Sequence, residues 1–379
     1  MVLSRRKLLR RAAGGAAAAL VLGTGGAILL RGFDDDASED SSTTLPPGLR
    51  RAALDVHVHV LGAGTWGSGC WMSASMHGSI PVKAGLWNLR LRHDQPDLDQ
   101  AYIAYLRSRI QSAGFLRQVV LLAMDTIWTA GGERDLAHSQ YYTPNEYVAG
   151  LARQYPEFLF GASVHPYRAD ALEELDRVAE AGAVLVKWIP NVHRIDLGDP
   201  RCRAFYRRMA GHKMVLLTHS GDEQAIPGVE QRYGDPRGLR APLEEGVTVI
   251  AAHVASLGER EGRSNFDLLA EMFPRWPNLY ADTSALTLFT RWRTLLRLAE
   301  RKDLHSRLVH GSDFPLPPAC TLFLGRMPLS QWWDAWKREN GLRRDFEIKQ
   351  ALGLPEDIYR RGYEVLAPRL KMLRAKEAA

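Results

Sequence analysis

The feature that most restricts the fold of this 379-residue chain is a repeated alternation of short apolar runs with amphipathic stretches. Runs at 53–59, 118–124, 158–164, 183–188, 214–219, 247–253, 278–283 and 307–312 have the length and near-continuous apolar character of strands buried on both faces. Helices with recognisable ends are expected between them: Thr143-Pro144 opens EYVAGLARQY, and the stretch from Ala169 closes on Gly182. The spacings of 32 residues from Lys187 to His219 and 34 from His219 to His253 fit one strand plus one helix per repeat. Eight such repeats over about 260 residues predict an α/β fold, a (β/α)8 TIM barrel, with an open doubly wound sheet as the competing architecture. That sheet would bring a Gly-rich phosphate turn after its first strand. Gly62, Gly64, Gly67 and Gly69 are present there but lack the GxGxxG spacing.

A barrel of this kind builds its site at the C-terminal ends of its strands, and those ends carry the chemistry-bearing residues here. They are His57 and His59 in LDVHVH, His219 in VLLTHS, His253 in VIAAHV and Asp313 in VHGSDFP. Residues two apart in a strand share a face, so His57 and His59 are expected to project together onto one ion, with Asp55 on the same face to orient a neighbour. A lone HxH pair is a weak signal; its company at the other strand ends is what gives it weight. Three imidazole positions and a carboxylate suit a divalent first-row metal, zinc foremost. Lys187 ends the fourth strand in AVLVKWIP, where a buried ammonium is costly unless it has a role. Asp125, His165 and Asp282 also end strands and read equally well as pocket residues or as structural hydrogen-bonding groups. Trp188, His193, Tyr233 and Arg237 are candidates for shaping the mouth.

The order DxHxH on strand one, His on strands five and six and Asp on strand eight resembles the amidohydrolase superfamily. The likeness spans roughly residues 52–370 and is strongest to the amidohydrolase-related branch, family 2, which includes aminocarboxymuconate-semialdehyde decarboxylase. The resemblance implies that His57, His59, His219 and Asp313 hold the metal. It implies a second-metal or substrate role for His253, and proton transfer by Asp313 and His253. Lys187 matches the lysine that is carboxylated between two metals in binuclear members, and otherwise reads as an ammonium for an anionic substrate group. One ion is favoured over two. The implied activity is hydrolysis of an amide, ester or lactone bond in a small molecule. The alternatives are non-oxidative decarboxylation of an aromatic or unsaturated acid and a non-catalytic metal-binding scaffold.

The N-terminus reads as an address. Ser-Arg-Arg-Lys-Leu-Leu-Arg at 4–10 precedes an uncharged stretch from Ala12 to Leu30 and resembles a twin-arginine export signal, cleaved or retained as a membrane anchor. The expected organisation is signal or anchor at 1–33, an acidic then Ser/Thr/Pro linker at 34–50, and the barrel at 51–379. Basic residues before the apolar span and Asp34, Asp35, Asp36, Glu39 and Asp40 after it place the barrel in the periplasm, with the twin-arginine translocase as an export partner. Arg5, Arg6, Lys7, Arg10, Arg11 and Arg31 equal the whole formal excess of +6, so the remainder of the chain is near zero and no nucleic-acid partner is expected. Cys70, Cys202 and Cys320 are odd in number and lack metal-ligand spacing. The long connection from Val60 to about Arg117 carries Trp66, Cys70, Trp71, Met72, Met76, His77 and Trp87. It is expected to form either a lid over the mouth or a packing patch in a homo-oligomer.

Overall fold

The computed structural model describes residues 19–23, 26–30, 45–79, 82–83, 85–86, 89–92 and 94–377. Most of the expected signal and linker, and Trp87, lie outside the described residues; Ala19–Gly23 pairs antiparallel with Gly26–Leu30 as a separate two-stranded ribbon. Among the described residues no helix is long and apolar enough to cross a membrane.

All eight expected strands form, and they are hydrogen-bonded as parallel neighbours in chain order. They are β1 Ala53–His59, β2 Leu116–Leu122, β3 Phe158–Ala162, β4 Leu185–Trp188, β5 Val215–His219, β6 Thr248–Ala252, β7 Leu279–Asp282 and β8 Leu308–Val309. The ring is completed between β8 and β1: Val56 N donates to His310 O (3.0 Å), Asp313 N to His57 O (2.9 Å) and His59 N to Phe314 O (2.9 Å). Side chains alternate along the strands. Leu54, Val56, Val120, Leu122, Leu185, Val215, Leu217 and Ile250 pack one another inside the barrel, while Val119, Phe160, Val186, Leu216 and Val249 join the larger core under the helices.

The helices that cover the outer face include α1 Leu98–Ala113, α2 Asn145–Gln154, α3 Ala171–Glu180 and α4 Cys202–Gly211. The last helix, α5 Ile358–Glu377, closes the end of the barrel opposite the site. Its Val365 and Leu366 join the interior cluster, and the fully buried Arg369 donates from Nε to Ala183 O (2.8 Å) and from Nη1 to His212 O (3.2 Å), just ahead of β4 and β5.

The long connection after β1 is shorter than expected as a loop, because α1 occupies its second half. The buried Asp99, in the first turn of α1, gathers the rest: Oδ1 accepts from Ala63 N (2.7 Å), and Oδ2 from Gly64 N (3.1 Å) and the Ser68 hydroxyl. Trp71–Met72 then pairs with Tyr141–Tyr142, so the loop is docked on the loop that follows β2. Trp332 and Trp336 stack with ring centroids 5.5 Å apart, whereas Trp333 is exposed, because its position faces away from the turn of helix beneath them.

Candidate metal centre

Every strand-end residue singled out above as a prime candidate is brought to one place. His57 is the hub. Its Nδ1 contacts Asp282 Oδ2 at 2.7 Å, so this nitrogen carries the proton and Nε2 presents a lone pair. That Nε2 lies 3.2 Å from His59 Nε2, 3.4 Å from Asp313 Oδ1 and 2.9 Å from Lys187 Nζ. Asp313 Oδ1 is also 3.2 Å from His59 Nε2, and Oδ2 is 3.9 Å from His253 Nδ1. Donor atoms of His57, His253 and Asp313 all lie within 4.8 Å of one another. His219 packs against His253 with ring centroids 5.0 Å apart.

The local chain explains this convergence. A register shift in the pairing of β1 with β2 falls between Asp55 and Val58. Leu54 and Val56 point to the barrel interior below it, and the shift lets His57 and His59 take the interior above it. Asp55 therefore does not orient an imidazole as its spacing suggested. Its Oδ1 accepts from the backbone N–H of His57 (3.0 Å) and of Ser312 (3.0 Å), fixing main chain on both sides of the seam between β1 and β8. Gly311 permits that seam: a Cβ there would stand 2.9 Å from His57 Cβ and 3.0 Å from Ser284 Cβ. His253 (φ +57°) and Asp313 (φ +66°) both sit in the left-handed region just past their strands, which turns their side chains back over the mouth.

The electrostatics suit a cation. Burial lowers the pKa of His57, helped by the charge of Lys187; burial lowers that of His253 well below its usual value, helped by Arg291. Burial, opposed by Glu223, brings His219 down to about 4. These three rings are neutral at neutral pH, the form that binds metal. Burial pushes the Asp313 carboxyl up, but His57, His253 and His59 together outweigh it and hold the group well below the usual carboxylate range. Lys187 is brought down to about 8 by burial, against the pull of Asp282, Asp313 and Glu223.

Two observations test whether a metal fits these donors. The Nε2 atoms of His57 and His59 and the Asp313 carboxylate gather around one point, and two tetrahedral zinc-bound nitrogens would stand about 3.3 Å apart, close to the 3.2 Å between the two imidazoles. In addition, His219 Nε2 is buried with no hydrogen-bond partner, while its Nδ1 lies 3.3 Å from Glu223 Oε2. An imidazole held through one nitrogen by a carboxylate and bare at the other is the arrangement that outer residues impose on a ligand. The donor set fits a divalent ion.

Among the weaker candidates, Asp282 belongs to the site and the others do not. Besides His57, it accepts from His253 N (2.8 Å) and Ser284 N (3.0 Å). Trp188 is wholly buried against Phe205 and Tyr206 and gives its indole N–H to Val164 O (2.7 Å), so it is core and not mouth. His165 donates to His193 O (2.8 Å), and its backbone N–H to Asp125 Oδ2 (2.9 Å), forming a separate buried group. Arg237 is held by Asp235 (2.7 Å) and Glu261 (3.1 Å), and Tyr233 accepts from Arg232 (2.8 Å), which leaves neither as a mouth residue. Glu223, Ser284 and Arg291 escaped the sequence reading because each follows its strand in an irregular loop without periodicity. A groove of about 760 Å³ between Arg263 and Arg307 carries none of the site side chains.

Comparison with known proteins agrees with this geometry. The profile of the amidohydrolase family matches residues 54–338. A comparison with curated proteins finds no match. Among solved structures, the chain is similar to an uncharacterised TIM-barrel protein from Bordetella bronchiseptica, at 15% identity and TM-score 0.54, covering 86% of this chain and 99% of that one. It is likewise similar to a structure described as a 2-pyrone-4,6-dicarboxylic acid hydrolase from Pseudomonas putida, at 15% identity and TM-score 0.53, covering 84% and 98%. At such identity these two show the fold.

Proposed function

Because this chain belongs to the amidohydrolase family, we propose that it is a metal-dependent hydrolase that uses an activated water to cleave an amide, ester or lactone bond of a small molecule. The observation that carries the proposal is the convergence of His57 Nε2, His59 Nε2 and Asp313 Oδ1, together with the bare, buried Nε2 of His219. His57, His59, His219 and Asp313 would hold one divalent ion, with zinc first among the metals that favour this nitrogen-rich set. When bound, such an ion polarises a substrate oxygen and makes water acidic enough to react near neutral pH.

The rest is the work of the chain. Asp313 is ionised and lies among imidazoles, so its free oxygen accepts a proton as water attacks. His253 Nδ1 donates to Ser284 O (3.1 Å) and lies 2.8 Å from Ser284 Oγ, which fixes the ring as the Nδ1–H tautomer and leaves the Nε2 lone pair to accept a proton. Lys187, within 2.9 Å of His57 Nε2, is assigned as an unmodified lysine that supplies positive charge behind the site. Ser-Arg-Arg at 4–6 and the apolar stretch after it support export through the twin-arginine translocase and a periplasmic barrel.

The test is elemental mass spectrometry of the purified protein, joined to product analysis in 18O-labelled water across ester, lactone, amide and aromatic-carboxylate panels. One metal per chain and label in the product are expected. Carbon dioxide released without incorporation of label would replace hydrolysis by decarboxylation. Export is tested with a reporter fused at residue 45, which should reach the periplasm only when the translocase is intact.

A further inference from the structure

Arg291, the last residue before the helix Trp292–Glu300, is buried at 5% exposure next to the mouth yet has no carboxylate within ion-pair distance among the described residues. Its Nη1 donates to Ser256 Oγ (2.6 Å) and its Nη2 to the backbone carbonyl of Asp222 (3.4 Å), both neutral acceptors. Ser256 lies three residues beyond His253, and Asp222 three beyond His219. The guanidinium therefore spans the turns that follow two site histidines.

The neighbouring carboxylates are engaged elsewhere. Asp222 Oδ1 pairs with Arg260 (2.9 Å); Glu223 accepts from Ala225 N (2.5 Å) and Ile226 N (3.3 Å) and holds His219; Asp282 holds His57. A guanidinium has five N–H donors in a planar fork, matched to a carboxylate. Burying it on two neutral oxygens is costly; the charges of Glu223, Asp313, Asp282 and Asp222 offset part of that cost, and an anion bound beside it would offset more. Its charge reaches His219, His253 and Asp313, which places it within electrostatic range of the reacting end of the site.

We propose that Arg291 recognises a carboxylate on the non-reacting part of the substrate, so that the natural substrates are carboxylate anions. The inference rests on the hydrolytic reading of the mouth for its substrate, and on Arg291 alone for its charge preference.

Two measurements separate these. The first is kcat/KM for the mono-p-nitrophenyl ester of glutaric acid and for its neutral methyl ester, with wild type, Arg291→Gln and Arg291→Lys. The second is calorimetric binding of benzoate and benzamide to metal-loaded and to EDTA-treated protein. Wild type should favour the anion in both by about 10- to 100-fold, the value of a charge-assisted pair. Arg291→Gln should bring the ratio within about threefold while Arg291→Lys keeps part of it, the planar fork being lost but not the charge. Equal loss for charged and neutral probes in Arg291→Gln would make Arg291 a loop tie and overturn the proposal. A wild-type protein without anion preference would overturn it whether or not the variants fold. No turnover of either ester, with a benzoate preference that disappears in Arg291→Gln, would sink hydrolysis and leave the anion site standing.

Discussion

Replacing Asp282 by Asn is the most incisive perturbation of the candidate metal centre, because it removes one charge and turns one acceptor into a donor with almost no change in volume. Asp282 Oδ1 accepts from His253 N (2.8 Å) and Ser284 N (3.0 Å), and an amide oxygen can keep both bonds. The other position meets His57 Nδ1 at 2.7 Å, and there an NH2 group would donate where the carboxylate accepted. His57 would have to move its proton to Nε2 and lose the lone pair with which, on the proposed reading, it would hold the ion. Loss of such an orienting carboxylate costs about 10- to 100-fold in metal affinity, or about 1.4–2.7 kcal/mol. Loss of the charged hydrogen bond costs the metal-free chain about 1.5–3 kcal/mol as well. Chelator competition measures the first quantity, and guanidinium unfolding in EDTA the second. Burial opposes ionisation of Asp282, but His57 overcomes it and its pKa is held well below 3.8. Its contribution is thus fully present above about pH 3.9 and lost as pH falls further, so wild type should show an acid slope that the variant lacks. Metal affinity within twofold of wild type would refute the claim that Asp282 sets the His57 tautomer.

Three further perturbations read other parts of the structure. Burial raises the Asp55 carboxyl to about 7, so the folded state holds a proton that the unfolded chain releases near 3.8. Stability should fall as pH rises from about 4 to 7 and level off above, and Asp55→Asn should flatten that slope in urea midpoints measured at pH 5 and pH 8. Asp99→Ala removes the acceptor shared by Ala63 N, Gly64 N and the Ser68 hydroxyl, and should raise amide exchange across 62–70 with a loss of about 2–4 kcal/mol; protection unchanged there would refute the staple. Arg369→Met leaves the carbonyls of Ala183 and His212 without their donor at the closed end of the barrel. It should lower stability by about 2–3 kcal/mol without altering metal content, and a joint loss of metal would show that the two ends are coupled.

The barrel and the residues that converge at its candidate site were legible in the sequence for one reason. Strands buried on both faces leave unbroken apolar runs, and a polar residue at the end of such a run must be doing something other than filling space. His57, His59, His219, His253 and Asp313 all carry that signal, and all converge. What the sequence hid depends on main-chain irregularity. The register shift in β1 reverses the faces that a strict two-residue period assigns, so Asp55 was expected beside the imidazoles and instead binds backbone. Trp188 reads as a mouth residue from its place after Lys187, but alternation sends it outward into the helix layer. Glu223 and Arg291 lie in loops whose path follows from tertiary contacts alone.

The same irregularity explains why one end of this barrel can do chemistry while the other is inert. At the closed end, α5 and Arg369 satisfy exposed carbonyls and extend the apolar interior, a solution that maximises stability. At the mouth the chain departs from low-energy geometry: His253, Val254 and Ala255 are consecutive left-handed residues, and Ala285 and Asp313 add two more. Each such residue costs of order 1–3 kcal/mol and persists only where its surroundings over-determine it. Here the surroundings are Asp282, which bonds His253 N, and the backbone pairing of Asp313 with His57. One carboxylate thus sets the tautomer of the first imidazole and holds the strained turn that presents another. Metal binding and backbone strain should therefore fail together in Asp282 variants, whereas changes at Arg369 should lower stability and spare the site.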